Sequence, residues 1–163
     1  MNLRYETLRY DELSRDQLYA ILRLRAEVFV VEQNCPYQDL DDKDQKSFHV
    51  MGLTDDGRLA SYTRLVPRGL SYPEHPSIGR VITAPFARGK GLGRPLMEVS
   101  KEALWRIWGR QAIKISAQAH LQAYYNSVGF EGVGDLYDED GIPHRAMVYE
   151  LNKHESILSL FGY

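Results

Sequence analysis

Apolar positions change period several times along the chain, and each change predicts an element. Residues 4–8 read as a short strand. Between residues 14 and 29, Leu18, Ile21, Leu22, Ala26 and Phe29 recur at helical spacing, so one face of this helix packs inward. Ser14 is placed to cap it, with Gln17 three residues on closing a weak capping box. An acidic irregular stretch covers residues 34–46. Two strand-like runs follow, 47–54 and 58–66, joined by the hairpin signal Asp55-Asp56-Gly57. Residues 69–77 hold two prolines and read as a loop. A β-branched run, Ile78-Gly79-Arg80-Val81-Ile82-Thr83, then leads into a glycine-rich turn and a helix over 94–108. Residues 112–117 alternate small or apolar with polar, as a half-buried strand does. A short helix over 120–127 ends at Gly129, which stops it by taking a left-handed conformation. Two strands close the chain, the last expected at 146–151 after the turn residues Asp140-Gly141. Meander strands followed by strand, helix, strand, helix argue for an α/β (α+β) fold on a mixed sheet.

Composition narrows the class. A chain of 163 residues makes one domain, expected over residues 1–152, with a tail over 153–163. The tail has apolar residues that could dock on the domain or a second subunit, or it could be a disordered end. A net charge of −2 gives no global field for nucleic acid or an anionic membrane. The single cysteine, Cys35, excludes an intramolecular disulfide. The polar N-terminus shows no signal peptide, and no apolar run reaches membrane-span length, so the cytoplasm is the expected location.

The chemistry concentrates at Arg88-Gly89-Lys90-Gly91-Leu92-Gly93, with Arg94 just beyond. A glycine turn between a strand and a helix start lets backbone approach an anion, and the first-turn N–H groups point outward. The helix dipole and the charges of Arg88, Lys90 and Arg94 favour phosphate or pyrophosphate. Neither common nucleotide loop fits. Leu92 stands where a Walker loop needs Lys, and Arg94 where a dinucleotide fingerprint needs its third glycine.

The pattern Arg88-x-x-Gly91-x-Gly93 does resemble the pyrophosphate loop of the GNAT N-acetyltransferases. About thirty residues downstream, Tyr125-Asn126-Ser127-Val128-Gly129-Phe130 resembles the second signature of that family, a helix Tyr four residues before Gly-Phe. Further segments are similar to the ElaA-like subgroup: residues 24–33, Cys35-Pro36-Tyr37, Ser116 to Gln122 and Asp140-Gly141-Ile142-Pro143-His144. The likeness runs from about Leu18 to Leu151 and departs from the broad family at Gln118, where many members carry Asn.

The resemblance implies a mostly antiparallel central sheet with helices on both faces. It also implies a splay between the fourth and fifth strands that holds acetyl-CoA as cosubstrate. By the same resemblance, residues 88–94 take the pyrophosphate, and the backbone of Val81, Ile82 and Thr83 takes the pantetheine arm. Tyr125 then lies near the coenzyme sulfur as general acid. The reaction is acetyl transfer by direct attack of a primary amine, of a small molecule or a protein. The acceptor would enter between residues 29–33 and 138–144.

An amine must be neutral to attack, so a proton acceptor is expected. His120 has a suitable ordinary pKa of about 6.5. Glu32 lies in a region that walls the acceptor site in GNAT folds. Water is an equal alternative, and His49 and His144 are weaker candidates. The aspartates at 39, 41, 42 and 44 read either as a solvated loop, the favoured reading, or as an entrance attracting a cationic amine. Cys35 reads as a small buried residue rather than a nucleophile. The scattered histidines and cysteine lack metal-ligand spacing. Monomer and homodimer both remain open. Two other functions remain: a non-catalytic CoA-binding sensor of the same fold, and transfer of a longer acyl chain or to a hydroxyl.

Overall fold

In the computed structural model, residues 1–151 are described. The expectations for the tail lie outside them. The chain runs β1 (Arg4–Arg9), α1 (Arg15–Arg25), β2 (Phe48–Leu53), β3 (Leu59–Val66), β4 (Ser77–Thr83), α2 (Gly93–Trp108), β5 (Ile113–Gln118), α3 (Gln122–Ser127), β6 (Phe130–Glu139) and β7 (Ile142–Tyr149). Strands β1-β2-β3-β4 form one antiparallel sheet and β5-β7-β6 a second. Helices α1 and α3 have local boundaries. The Ser14 hydroxyl accepts from the Gln17 amide at 3.0 Å, and the Gln17 side chain accepts from the Ser14 amide at 2.9 Å, the expected capping box. Gly129 adopts φ 98° directly after α3.

Helix α1 does not continue to Phe29 as an α-helix. It widens over Ala26–Glu32 into a π-helix, where Cys35 donates to the Val30 carbonyl and Gln33 to the Val28 carbonyl, each five residues back. The last strand begins at Ile142, four residues earlier than its apolar pattern indicates, because β7 pairs on both sides. Pro143 is accommodated beside the strand start. The β6–β7 turn places both Asp140 (φ 53°) and Gly141 (φ 80°) in the left-handed region, as a two-residue hairpin requires.

Helices cover both faces of the first sheet. Helix α2 packs Leu96, Met97 and Leu104 against Val50, Leu65 and Ile78, and the same core continues to Ile113 and Ile115 of the second sheet. On the opposite face α1 packs Ile21 and Leu24, and the π-helix Val28, against Met51, Tyr62 and Ile82. Ile78 and Ile82 are four residues apart, so a regular strand would point both to one face. They belong to different cores because β4 is bulged. Tyr62 pairs with Ile82 and Arg64 with Gly79, which leaves Arg80 and Val81 opposite Thr63 alone. Arg80 takes the left-handed conformation (φ 51°) that this requires.

The acidic segment is neither solvated nor an amine entrance. Asp39 and Asp44 are buried, and Asp41 is partly so. Arg25, fully buried, donates to Asp39 at 2.9 Å and Asp44 at 2.6 Å. Arg64 donates to both oxygens of Asp41 at 2.8 Å and to Asp44 at 2.9 Å. Arg80 donates to the Asp39 carboxylate at 2.8 Å. Of the four aspartates only Asp42 is exposed. The reason is non-local: the arginines that neutralise these carboxylates come from α1, β3 and β4.

Burial alone would raise the carboxyls of Asp41 and Asp44, but hydrogen bonds from Arg64 to Asp41, and from Arg25 and Arg64 to Asp44, hold both below the usual carboxylate range. Buried His49 is pushed down; its Nε2 faces the Asp44 carbonyl and its Nδ1 the Tyr62 hydroxyl, a pairing the neutral ring satisfies. All three groups bind protons less readily when folded than when unfolded. Stability therefore starts to fall as pH drops through about 6.5, where unfolded His49 protonates, and falls more steeply below about 4 as the carboxyls follow. Denaturant unfolding across this range is the measurement. Asp44→Asn leaves two buried guanidinium groups short of a partner and should cost about 3–5 kcal/mol. A denaturation midpoint unchanged from the parent would reject the assigned role.

Candidate active site

Strands β4 and β5 start side by side, where the Lys114 amide donates to the Pro76 carbonyl at 3.1 Å. Beyond that point they belong to different sheets and splay apart. A cleft of about 510 Å³ opens between them, lined by the whole run Ile78 to Thr83, by Ile115, Ser116 and Gln118, and by Tyr125. The π-helix contributes Phe29 and Glu32, and the β6–β7 hairpin Glu139, Asp140 and His144. The two segments expected to flank the acceptor path thus face one cleft.

The glycine loop borders this cleft. Gly89 (φ 75°) and Gly91 (φ 70°) both sit in the left-handed region, and no side chain caps the first turn of α2. Leu92 is buried against Ala60 and Ala87 and anchors the loop. Gly93 is tightly packed: an added Cβ would lie 3.1 Å from the Tyr124 hydroxyl, which donates to the Gly93 carbonyl at 2.8 Å. Tyr124 thus ties α3 to the loop.

The loop's charged side chains are committed unequally. Arg94 donates to the Ser127 carbonyl at 3.0 Å. Arg88 donates to Thr83 and makes a two-pronged pair with Glu32, at 3.0 and 2.7 Å. Lys90 is exposed. The Arg88–Glu32 pair is itself half exposed, so it contributes little stability and exchanges readily.

Tyr125 is only 7% exposed, edge-on to Phe130, and its hydroxyl makes no hydrogen bond to the described residues. Burial first, then Tyr124, raises its pKa, so the phenol keeps its proton at neutral pH. His120 is exposed in a 3-10 turn (Ala119–Leu121) lining the cleft. His49 is outside the lining and structural. His144 is in the lining, with Nδ1 2.7 Å from the Ile142 carbonyl and Nε2 3.1 Å from Glu139. Cys35 is buried, its thiol donating to the Asp140 carbonyl at 3.2 Å, which joins the π-helix end to the β6–β7 turn. Gln118 donates to Gln33 at 3.4 Å.

Sequence reasoning reached Glu139 only as part of the 138–144 segment and did not single out Tyr137, whose hydroxyl meets Ser116. Both come from the far end of β6, whose exposed residues show no apolar alternation. Among the described residues no group of histidine, cysteine and carboxylates could hold a metal. No helix among them is long and apolar enough to cross a membrane.

A family profile described as "Acetyltransferase (GNAT) domain" matches residues 10–151. The chain belongs to this family. A crystal structure of an acyl-CoA N-acyltransferase from Pseudomonas aeruginosa is similar with TM-score 0.84 and 44% identity, covering 90% of this chain and 99% of that one. Within the family the chain is ElaA-like: it is 42% identical to protein ElaA of Escherichia coli over 91% of this chain and 97% of that protein. The ElaA crystal structure superposes with TM-score 0.83. A UPF0039 protein of Synechocystis is 40% identical over 93% of this chain and 97% of its own length. The chain is therefore an acyltransferase of the acyl-CoA N-acyltransferase family.

Gly91→Val tests the loop. A β-branched residue at φ 70° costs of order 1–3 kcal/mol, which the loop can avoid only by moving its amides. Affinity for acetyl-CoA should fall about tenfold or more. Calorimetry showing unchanged affinity in a folded variant would reject residues 88–94 as the phosphate site.

Proposed function

We propose that this enzyme transfers acetyl from acetyl-CoA to a primary amine by direct attack on the thioester. The observation that carries the reading is one cleft bordered by an uncapped glycine loop and lined by a buried, unbonded Tyr125 hydroxyl. In this reading the pyrophosphate rests on the backbone of Arg88, Gly89, Lys90, Gly91, Leu92, Gly93 and Arg94. Arg88 exchanges Glu32 for phosphate, so Glu32 positions Arg88 before the coenzyme arrives and flanks the amine afterwards. The pantetheine arm lies along the β4 edge at Val81, Ile82 and Thr83, and a backbone N–H at the bulge polarises the thioester carbonyl.

The chemistry balances as follows. An ammonium acceptor loses one proton to His120 or through water to solvent. The amine nitrogen then bonds the carbonyl carbon. The C–S bond breaks as Tyr125 gives its proton to the departing thiolate. The second nitrogen proton returns, through water, to the tyrosinate. The net products are an amide, coenzyme A as thiol and one released proton.

A CoA-binding sensor would not need the Tyr125 hydroxyl, and this favours the enzyme. The remaining parts of the reading are a single acyltransferase domain over residues 1–152, a monomer or homodimer, a cytoplasmic location, and no nucleic-acid or membrane partner. The near-neutral charge supports the reading without a nucleic-acid partner, and the single cysteine is compatible with a reducing compartment.

An amine panel with acetyl-CoA, followed by release of coenzyme A thiol, tests the reaction. Tyr125→Phe keeps the ring packing and should lower turnover about a hundredfold with little change in coenzyme affinity. Turnover equal to the parent's on the best amine would eliminate Tyr125 as proton donor.

A further inference from the structure

A second cleft, of about 490 Å³, lies beside the first. The two share Ile78, Gly79, Arg80, Ser116 and Glu139 in their linings. They meet where Ser116 contacts the Tyr137 hydroxyl and Glu139. Alternation along β5 places Lys114, Ser116 and Gln118 on one face, with Lys114 about 7 Å from Ser116 along the strand. The size suits a metabolite.

The charges in this second cleft do not cancel. Arg64 and Arg80 are neutralised by Asp39, Asp41 and Asp44. Glu139 lies at the junction with the first cleft, 3.1 Å from His144 Nε2. Lys43 and Lys114 remain, and neither has a carboxylate within ion-pair distance among the described residues. Lys43 donates only to the Ser71 hydroxyl at 3.0 Å, and Lys114 sits 4.9 Å over the Tyr72 ring. Both are partly buried. The Tyr72 phenol is pushed up to about 12 by burial, then by Tyr137 and Glu139, so it stays a donor at neutral pH. Two cations and a phenol thus stand at one end of the cleft. A carboxylate and a serine stand at its junction with the coenzyme cleft.

We infer that the acceptor is an amino acid, its ammonium group received at Glu139 and Ser116 and its carboxylate held by Lys114, Lys43 and Tyr72. This rests on the acetyl-transfer reading and adds the substrate class. The polarity is fixed: the amine end faces the thioester, and the anionic end lies away from it. A diamine would place its second cation against the two lysines.

The test compares matched pairs, an α- or ω-amino acid against the amine that lacks its carboxylate, with the parent enzyme and Lys114→Met. The parent should prefer the amino acid in kcat/KM by about tenfold or more. That ratio should collapse toward one in Lys114→Met, whereas Lys46→Met, an exposed lysine outside both linings, should retain it. Calorimetry of the same amino acids needs no turnover. Saturable binding weakened by Lys114→Met, without product, supports the carboxylate site and rejects acetyl transfer to these compounds. Acetylation of paired amines at equal kcat/KM, or a ratio untouched by Lys114→Met, overturns the inference and leaves acetyl transfer standing. Neither binding nor turnover of any amino acid also overturns it.

Discussion

Six buried or half-buried charges hold this molecule in its working shape. Arg25, Arg64 and Arg80 face Asp39, Asp41 and Asp44, three positive against three negative. Burying any one alone would cost several kcal/mol, so the carboxylates must be delivered together to the arginines. That requirement folds residues 39–44 down over α1, β3 and β4. An apolar cluster of equal volume could match the stability of the network. It would not dictate, as directional guanidinium–carboxylate bonds do, where Arg80 points.

Arg80 is where this constraint reaches the site. A left-handed arginine inside a strand is strained, and such strain persists only when surroundings over-determine it. Its donations to the Asp39 carboxylate and carbonyl, at 2.8 and 2.9 Å, supply that determination. The bulge then turns Ile82 toward α1 while Ile78 stays with α2, so one strand serves two cores. It also takes Arg80 and Val81 out of the ladder beside the cleft. A loop that looks peripheral in sequence thus sets the backbone of β4.

What could be read from the sequence follows from the range of each signal. The Ser14 capping box, the Asp55-Asp56-Gly57 turn, Gly129 and the glycine loop each act within a few residues, and each stands where its pattern placed it. Glu32 and His120 both line the cleft, and Glu32 is held there by Arg88. The aspartates were misread because Asp39 meets Arg25 fourteen residues away and Arg80 forty-one away, distances no local pattern encodes. The π-helix escaped for a different reason. Its residues Ala26, Val28 and Phe29 keep a spacing that suits an α-helix, and only the five-residue hydrogen bonds reveal the wider turn.

The splay itself is a problem in backbone bonding. Strand β4 is the edge of one sheet and β5 the edge of the other. Two facing edges would normally zip together or invite aggregation. Here one amide, Lys114 to Pro76, closes the base. Above it the clash of requirements keeps the edges apart. β5 turns its apolar residues Ile113, Ile115 and Ala117 into the α2 core, and β4 reverses its facing at the bulge, so no single register would bury the apolar side of both. The unpaired edge groups must then find partners from outside the chain. An extended molecule carrying amide N–H and C=O groups, with a polyanionic end for the uncapped helix, meets both needs at once. The pantetheine arm and pyrophosphate of an acyl-CoA have that chemistry. On this view the bulge that costs backbone strain and the open cleft beside it are one feature, maintained by the ion pairs behind it.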